Sequence, residues 1–195
     1  MTRAGGAAWA KQMGGEKVRS FGAIFSALAA LTLAAPGPTG AAEDPAALKV
    51  GVAYSLPEWF KPSFLDFRQD VAEARRQDKH VLVFLHLDNC PYCARLLKES
   101  FTSGDNHDFI RKHFEVIAVN VRGSLEVKWV DGATYTERGL TTHLGVRGTP
   151  TLVFLDQEGK NVLQLSGYRE PRALRAALDY VQGKRYRNGP LTGEN

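Results

Sequence analysis

Cys90-Pro91-Tyr92-Cys93 holds both cysteines of this 195-residue chain. The tetrapeptide follows a strand-like apolar run at residues 81–87 and opens a helix-like run. Leu96, Leu97 and Phe101 continue the apolar stripe of that run, and Ser103-Gly104 ends it. Proline suits the first turn of a helix, where its missing N–H needs no partner. The pattern therefore predicts a buried strand that delivers two thiols to the start of a helix. There they can close a disulfide and pass it to another protein.

A single cysteine pair at this spacing favours redox chemistry over scaffolding, because a disulfide across so short a loop constrains the unfolded chain little. The N–H groups and dipole at a helix N-terminus stabilise a thiolate, so Cys90 is the predicted nucleophile. Cys93, one turn further in, suits the resolving role and would attack the mixed disulfide that Cys90 forms. Pro91 and Tyr92 would fix the turn and tune how strongly the thiolate is favoured.

Three other interpretations of the pair are weaker. A structural zinc site needs four ligands, and this chain has one cysteine pair and no C-terminal His-x-x-His. A copper site would need His or Met at ligand spacing near the pair, which the sequence lacks. An inert buried pair stays open, since cysteines often serve as small apolar residues. We therefore expect no cofactor and no metal.

Residues 1–42 have the order of a secretory signal. A basic n-region precedes an apolar run at residues 21–35, and a Pro-Gly-Pro break and small residues follow. The apolar run is shorter than the ~20 residues needed to span a bilayer, although an uncleaved anchor is the alternative. Because the n-region is long, Met13 competes with Met1 as the start. We expect a periplasmic protein in an oxidising compartment, with no stable membrane insertion of the mature chain.

The charge pattern gives no reason to expect a nucleic-acid partner. The net charge is +4, but residues 1–42 hold four basic side chains against one acidic one, so most of the excess is N-terminal. The remaining composition, with 44% hydrophobic residues, is ordinary for a globular protein. A basic patch of the kind that binds nucleic acid is therefore not predicted.

Beyond the signal, we predict an N-terminal arm at residues 43–63, one domain at residues 64–182 and a loose polar tail at residues 183–195. The order of secondary structure is indicated by periodicity and turn residues. The predicted elements are a short arm strand at 48–52, a helix at 64–78 capped by Asp66, the strand at 81–87, the motif helix, a short helix through 109–114 capped by Asp105 or Asn106, a strand at 116–121, a hairpin at 127–135 with a tight Asp131-Gly132 turn, a short helix at 136–144, a strand after Pro150, a hairpin partner after a turn at 156–160, and a last helix from Glu170-Pro171.

This order predicts an α/β fold with a central mixed sheet flanked by helices. Its first half is β-α-β, which implies a parallel pair of strands, and its later hairpin implies an antiparallel edge. The segment at residues 122–145 is a hairpin–helix insertion. Trp129 and Tyr135 within it either line a substrate groove or pack the hairpin onto the domain. Trp59 and Phe60 of the arm are expected to pack against the domain.

Two motifs together resemble the thioredoxin superfamily over roughly residues 64–182: Cys90-Pro91-Tyr92-Cys93 after a buried strand, and Gly148-Thr149-Pro150-Thr151 before the next one. The resemblance implies a thioredoxin-like fold and a cis Thr149–Pro150 bond, with the proline packed against the cysteine pair. It also implies that the Thr149 backbone hydrogen-bonds a substrate segment in strand fashion. Thr149, Pro150, Pro91 and Tyr92 are thus the expected substrate-binding residues. Taken alone, Pro150 would be an ordinary strand-start proline.

Within the superfamily, the chain is most similar to exported thioredoxin-like proteins of the SoxW type, which are associated with bacterial sulfur oxidation. The likeness lies in the signal sequence, in Cys-Pro-Tyr-Cys-Ala-Arg at 90–95, and in the Asn120 strand with its hairpin insertion. The tetrapeptide is also typical of glutaredoxins, but their glutathione-binding Gly-Gly-x-Asp is missing at residues 165–169.

The resemblance implies a periplasmic thiol:disulfide oxidoreductase that reduces partner proteins and is recharged by a membrane electron donor. The direction of electron flow is not encoded in the motif, because potentials on this scaffold span ~−270 to ~−120 mV. A non-catalytic protein-binding module on the same fold is the alternative.

The chain departs from thioredoxins at Phe84, where they usually carry a buried aspartate that helps move the proton of the second thiol. His86, Asp88 and Glu99 are the candidate substitutes. A structural histidine, a turn residue and a solvated helix face are the simpler interpretations of these three.

Overall fold

The computed structural model describes residues 53–191. The predicted signal at 1–42 and the predicted arm strand at 48–52 lie outside the described residues. Within them, the α-helices are α1 (Phe67–Arg76), α2 (Pro91–Leu96), α3 (Gly104–His113), α4 (Glu137–His143) and α5 (Pro171–Gln182). A π-helical turn, Leu97–Phe101, extends α2, and a 3₁₀ turn, Arg185–Arg187, follows α5.

The strands are β1 (His80–His86), β2 (Phe114–Asn120), β3 (Glu126–Lys128), β4 (Thr134–Thr136), β5 (Thr151–Leu155) and β6 (Asn161–Ser166). Four of them form a sheet in the order β2-β1-β5-β6, and β3 pairs with β4. β1 and β2 are parallel, whereas β5 runs antiparallel to both β1 and β6. The predicted α/β fold with a mixed central sheet is therefore confirmed.

Strand β1 is buried along its whole length and supplies both cores of the domain. Because successive side chains of a strand point to opposite faces, Leu82 and Phe84 join the core under α2, α3 and α5. Val83 and Leu85 join the other core, under α1 and α4. The sheet is thus covered on both faces, as its continuous apolar pattern predicts.

The register brings four loops to one edge of the sheet, here called the motif edge. His86 pairs with Asn120, Leu85 with Thr151, and Thr151 with Ser166. The loops that leave or enter the sheet beside these residues are 87–90, 121–125, 144–150 and 167–170. The cysteine motif and the Gly148–Pro150 segment are therefore neighbours in space although they lie far apart in sequence.

Several predicted boundaries are wrong. Helix α1 starts at Phe67 rather than 64, because Asp66 is its N-cap and accepts from the Gln69 N–H at 3.2 Å. Helix α3 starts at Gly104 after Ser103, not at a cap of Asp105 or Asn106. Asn106 instead donates to the Pro171 carbonyl at 2.8 Å, which ties α3 to α5.

The hairpin forms where predicted, but its turn is longer than two residues. The Trp129 N–H donates to the Ala133 carbonyl at 2.9 Å, and the Gly132 N–H donates to the Trp129 carbonyl at 3.0 Å. Asp131 shapes this wider turn because its carboxylate accepts from the Ala133 N–H at 2.8 Å. Local side-chain bonding therefore replaces the tight Asp-Gly turn.

The tail is not loose over residues 183–191. The Tyr180 hydroxyl donates to the Gly189 carbonyl at 2.8 Å. Tyr186 and Leu191 pack against the core beneath α5. Apolar side chains spaced along a polar segment therefore hold it to the domain.

Candidate functional site

The cysteine pair forms the N-terminus of α2. Cys90 is the N-cap, and its Sγ accepts a hydrogen bond from the Cys93 N–H at 3.1 Å. Pro91 is the first helical residue, as its fixed φ favours. The two cysteines are joined in a disulfide with their Cα atoms 5.2 Å apart. A helix N–H therefore already faces the sulfur on which negative charge would develop.

Burial distinguishes the two sulfur-bearing residues. Cys90 keeps 6% of its surface exposed and Cys93 keeps 0%. Next to them, the Tyr92 side chain is 44% exposed. An incoming group therefore meets Cys90 and Tyr92 first, and Cys93 lies behind them.

The Gly148–Pro150 loop closes over Cys90. The Thr149 hydroxyl donates to Cys90 Sγ at 3.4 Å across 59 positions of sequence. The Thr149–Pro150 peptide bond is cis, the geometry that the resemblance implies, and Pro150 is buried. Two further bonds fix the loop: Thr151 Oγ1 donates to the Gly148 carbonyl at 2.7 Å, and the Gly167 N–H donates to the Pro150 carbonyl at 2.8 Å.

Glu99 is fully engaged on the flank of the motif helix. Its Oε1 accepts from Arg95 Nε at 2.9 Å, and its Oε2 accepts a short hydrogen bond from the Tyr168 hydroxyl. The Arg95 guanidinium also lies 4.4 Å from the centre of the Tyr168 ring. Hydrogen bonding to Tyr168 and Arg95 lowers the pKa of Glu99. Glu99 therefore clamps the β6–α5 loop to the motif helix and is a poor proton acceptor for Cys93.

Asp88 and His86 have different environments at the end of β1. Asp88 is exposed, and its carboxylate accepts from Asn120 Nδ2 at 3.2 Å, which links the motif loop to β2. His86 is buried, stacks on Phe84 and lies 2.8 Å from the Tyr54 hydroxyl through Nδ1. Because Tyr54 donates to the Leu87 carbonyl at 2.8 Å, its oxygen accepts from a protonated Nδ1.

The His86 environment favours a neutral imidazole. Burial lowers the pKa of His86, and Asp88 and Glu137 oppose that shift only in part. A neutral ring with its proton on Nδ1 leaves Nε2 as an acceptor. Of the three candidate substitutes for the missing aspartate, His86 is the one whose surroundings leave a base available.

The insertion contributes a residue that no sequence pattern indicated. Glu137, only 6% exposed, accepts from the Asn120 N–H at 3.0 Å and from the Leu125 N–H at 3.2 Å. Its carboxylate thereby pins the 121–125 loop at the motif edge. Thr136, the N-cap of α4, marks a helix start here, but nothing local shows that the next side chain turns inward to that loop.

The two insertion aromatics pack rather than line a groove at the cysteines. Trp129 is buried with its ring 4.7 Å from that of Phe67, on the α1 side of the sheet. The Tyr135 hydroxyl donates to Asp131 at 3.1 Å within the hairpin. Trp59 and Phe60 pack onto the core as predicted.

Metal sites and membrane-spanning helices are both absent within residues 53–191. No group of three or more His, Cys, Asp or Glu side chains there could hold a metal ion. In the same part of the chain, no helix has both the length and the apolar character needed to cross a membrane.

The fold and the paired motifs are those of a thioredoxin-like protein. The sequence model of the thioredoxin-like domain family matches residues 67–182. Since this match covers more than half of the chain, the protein belongs to that family. Among curated proteins, none matches the chain significantly.

Solved structures to which the chain is similar include three bacterial proteins. A thioredoxin-fold protein from Helicobacter pylori is 26% identical, with a TM-score of 0.52, covering 57% of this chain and 73% of that chain. A thioredoxin from Thermus thermophilus is 24% identical, with a TM-score of 0.47 and coverages of 60% and 83%. A putative disulphide-isomerase from Bacteroides thetaiotaomicron is 23% identical, with a TM-score of 0.47 and coverages of 65% and 97%.

Proposed function

We propose that this protein is a thiol:disulfide oxidoreductase that exchanges the Cys90–Cys93 disulfide with partner proteins. The observation that carries the proposal is the contact between the Thr149 hydroxyl and Cys90 Sγ, 3.4 Å apart. It joins the cysteine motif to the cis-proline loop at one edge of the sheet. An inert buried pair would need no second loop over its more exposed sulfur.

The proposed reaction runs in two exchanges. In the reduced protein, the Cys90 thiolate attacks one sulfur of a partner disulfide, which forms a mixed disulfide and expels the partner's other sulfur as a thiolate. Cys93 then attacks Cys90 Sγ, releases the second partner thiol and closes the Cys90–Cys93 disulfide. Two electrons pass from this protein to the partner. The Cys93 N–H and the Thr149 hydroxyl, both directed at Cys90 Sγ, stabilise its negative charge.

Substrate contact would fall to Pro91, Tyr92, Thr149 and Pro150. Tyr92 offers an exposed ring beside Cys90, and the Thr149 backbone offers strand-like hydrogen bonds to an extended partner segment. Pro91 and Pro150 hold the two backbones that the segment passes between.

His86 is proposed as the proton acceptor for Cys93 in place of the usual buried aspartate. Its neutral ring stacks on Phe84, which shares a buried cluster with Cys93. The charged and titratable groups around it are Tyr54 of the arm, Asp88 of the motif loop and Glu137 of the insertion. Because burial lowers the pKa of His86 from 6.5, a His86→Gln variant should flatten the pH dependence of reduction below about pH 6.5. A pH profile identical to that of the wild type would remove His86 from this role.

The cellular setting is proposed from sequence. Residues 1–42 would export the chain to the periplasm, residues 43–63 would form the arm, and residues 64–182 would carry the chemistry. In the periplasm the protein would act as a reductant recharged by a membrane electron donor, in the sulfur-oxidation context that the SoxW likeness implies. No nucleic acid, cofactor or metal enters the proposed reaction.

The test is insulin reduction combined with trapping of a partner. Cys90→Ser should abolish insulin reduction, whereas Cys93→Ser should accumulate a mixed disulfide through Cys90 that dithiothreitol releases. Undiminished reduction by Cys90→Ser would contradict the proposal. A Cys90→Ser/Cys93→Ser variant that still fulfils the cellular role would instead support a non-catalytic binding module.

A further inference from the structure

The two loops that flank the cysteine motif at the motif edge each carry one arginine and no acidic residue. Residues 121–125 contain Arg122, and residues 144–150 contain Arg147. Because β1 lies between β2 and β5 in the sheet, the motif loop after β1 lies between these two loops. The motif loop is therefore flanked on each side by a loop that carries one arginine.

Contacts link both arginine-bearing loops to the motif loop. Arg147 is two residues from Thr149, so the Cα atoms of these two residues are within about 7 Å. The Thr149 hydroxyl in turn contacts Cys90 Sγ at 3.4 Å. Arg122 is two residues from Asn120, whose amide contacts Asp88 in the motif loop at 3.2 Å. Each arginine is thus two residues in sequence from a residue that contacts the motif loop or Cys90 itself.

Neither arginine has a structural task in the described chain. Both residues are exposed, and within residues 53–191 neither guanidinium makes a hydrogen bond or ion pair. Glu99 binds Arg95 and Tyr168, and the exposed Asp88 of the motif loop accepts from the neutral Asn120 amide and pairs with neither arginine. The positive charge of Arg122 and Arg147 is therefore available to a binding partner.

Apolar surface accompanies the charge. Leu125 is 64% exposed and Tyr92 is 44% exposed, and both lie at the motif edge. Leu125 is held there because its N–H donates to the Glu137 carboxylate at 3.2 Å. Exposed aromatic and aliphatic side chains at the same edge as unpaired cations suit a polypeptide with acidic and apolar side chains.

Resting on the proposed function, we propose that the partner presents its disulfide on an extended acidic segment. Carboxylates on either side of the reacting cysteine pair with Arg122 and Arg147, and an apolar side chain covers Tyr92 and Leu125. The inference therefore concerns substrate class, with the exchange chemistry unchanged.

The test compares two disulfide peptides of the same length, one with Glu and one with Lys flanking the cysteine, as substrates of the full chain. Exposed ion pairs are individually weak, but two attractions for one peptide against two repulsions for the other give a preference of roughly tenfold in kcat/KM at low salt. The preference should shrink as ionic strength rises from about 0.01 M to about 1 M, because the Debye length falls from about 30 to about 3 Å.

Charge reversal gives the decisive variants. Arg122→Glu/Arg147→Glu should invert the preference. The matched control is Arg76→Glu, an exposed arginine at the end of α1 that precedes the opposite end of β1, and it should leave the preference unchanged. A small uncharged disulfide serves as the reference rate for each of the three proteins, which removes any effect of the reversed charges on the Cys90 thiolate itself.

The outcomes separate the two proposals. No reduction of the uncharged disulfide by the wild type would defeat the proposed function. Normal reduction of it with equal rates for both peptides, or a preference that survives the double reversal, would overturn the acidic-segment inference alone. Arginine-dependent binding to anionic lipid vesicles without any peptide preference would overturn it as well, in favour of a membrane surface.

Discussion

Glu137 should couple the insertion to the motif edge, and its removal should be costly. Its carboxylate accepts from the Asn120 and Leu125 N–H groups at 3.0 and 3.2 Å, in a side chain only 6% exposed. Hydrogen bonds to a charged acceptor contribute about 1.5–3 kcal/mol each, so Glu137→Ala, which removes two of them, should lower the free energy of unfolding by about 3–6 kcal/mol. Glu137→Gln keeps one oxygen but sets an NH₂ group against the other donor, and about 1–2 kcal/mol should be lost.

Gly123 provides the partner for a double-mutant cycle. A Cβ at Gly123 would overlap the Glu137 carboxylate. Gly123→Ala should therefore destabilise the wild type by about 1–3 kcal/mol through overpacking. In the Glu137→Ala background the overlap disappears, so the double variant should be less destabilised than the sum of the single variants, with a coupling of at least about 1 kcal/mol.

Urea unfolding of the oxidised proteins, followed by circular dichroism, measures these differences. Glu137→Ala should also lower the melting temperature by roughly 6–24 °C, at 2–4 °C per kcal/mol. A loss below about 0.5 kcal/mol for Glu137→Ala, or strict additivity with Gly123→Ala, would refute the role assigned to this carboxylate.

Three further predictions concern the site, the core and the tail. Thr149→Val removes the hydroxyl that donates to Cys90 Sγ and should slow insulin reduction several-fold with little change in unfolding midpoint, whereas an unchanged rate would show that this contact is catalytically neutral. His80 is buried with Nδ1 unpaired, and burial and Lys184 lower its pKa below the usual 6.5, an effect that Asp156, Asp78 and Glu158 oppose. The neutral His80 ring should therefore stabilise the fold above about pH 6.5, and this stabilisation should be lost as pH falls. Between about pH 7.5 and about pH 5, the melting temperature of His80→Leu should fall less than that of the wild type. Equal falls in melting temperature would contradict this prediction. Truncation after Gly183 removes the Tyr180–Gly189 hydrogen bond and the packing of Tyr186 and Leu191, and should lower the free energy of unfolding by about 2–4 kcal/mol. A truncated chain as stable as the wild type would show that residues 184–191 contribute nothing to stability.

The sheet and the cysteine site were predictable because their signals are local and strong. A continuous apolar run before Cys90 indicates a strand buried on both faces, and Pro91 indicates a helix start. The Thr149–Pro150 loop could be joined to the cysteines only through the resemblance. No spacing within the chain indicates which distant residues meet at one edge of a sheet.

The errors and omissions have a common physical cause. Asn106 is a reasonable helix cap by residue type, but its side-chain amide donates a hydrogen bond to the Pro171 carbonyl, 65 positions away. Glu137 has no local signal in the sequence for the two backbone N–H groups that the fold places against its carboxylate. Likewise, the 183–191 segment has polar composition, yet tertiary contacts of Tyr186 and Leu191 order it. Contacts between residues far apart in sequence decide these details, and local sequence propensity does not predict such contacts.

The central claim is that Cys90–Cys93 is a working redox couple rather than an inert link. Equilibration of the full chain in glutathione buffers, with alkylation and mass spectrometry to count thiols, measures its reduction potential. We predict a reversible two-electron couple between about −270 and about −120 mV, with Cys90 alkylated before Cys93 in the reduced protein. A potential below about −300 mV, which is typical of structural disulfides, or a pair that cannot be reduced without unfolding, would contradict the claim.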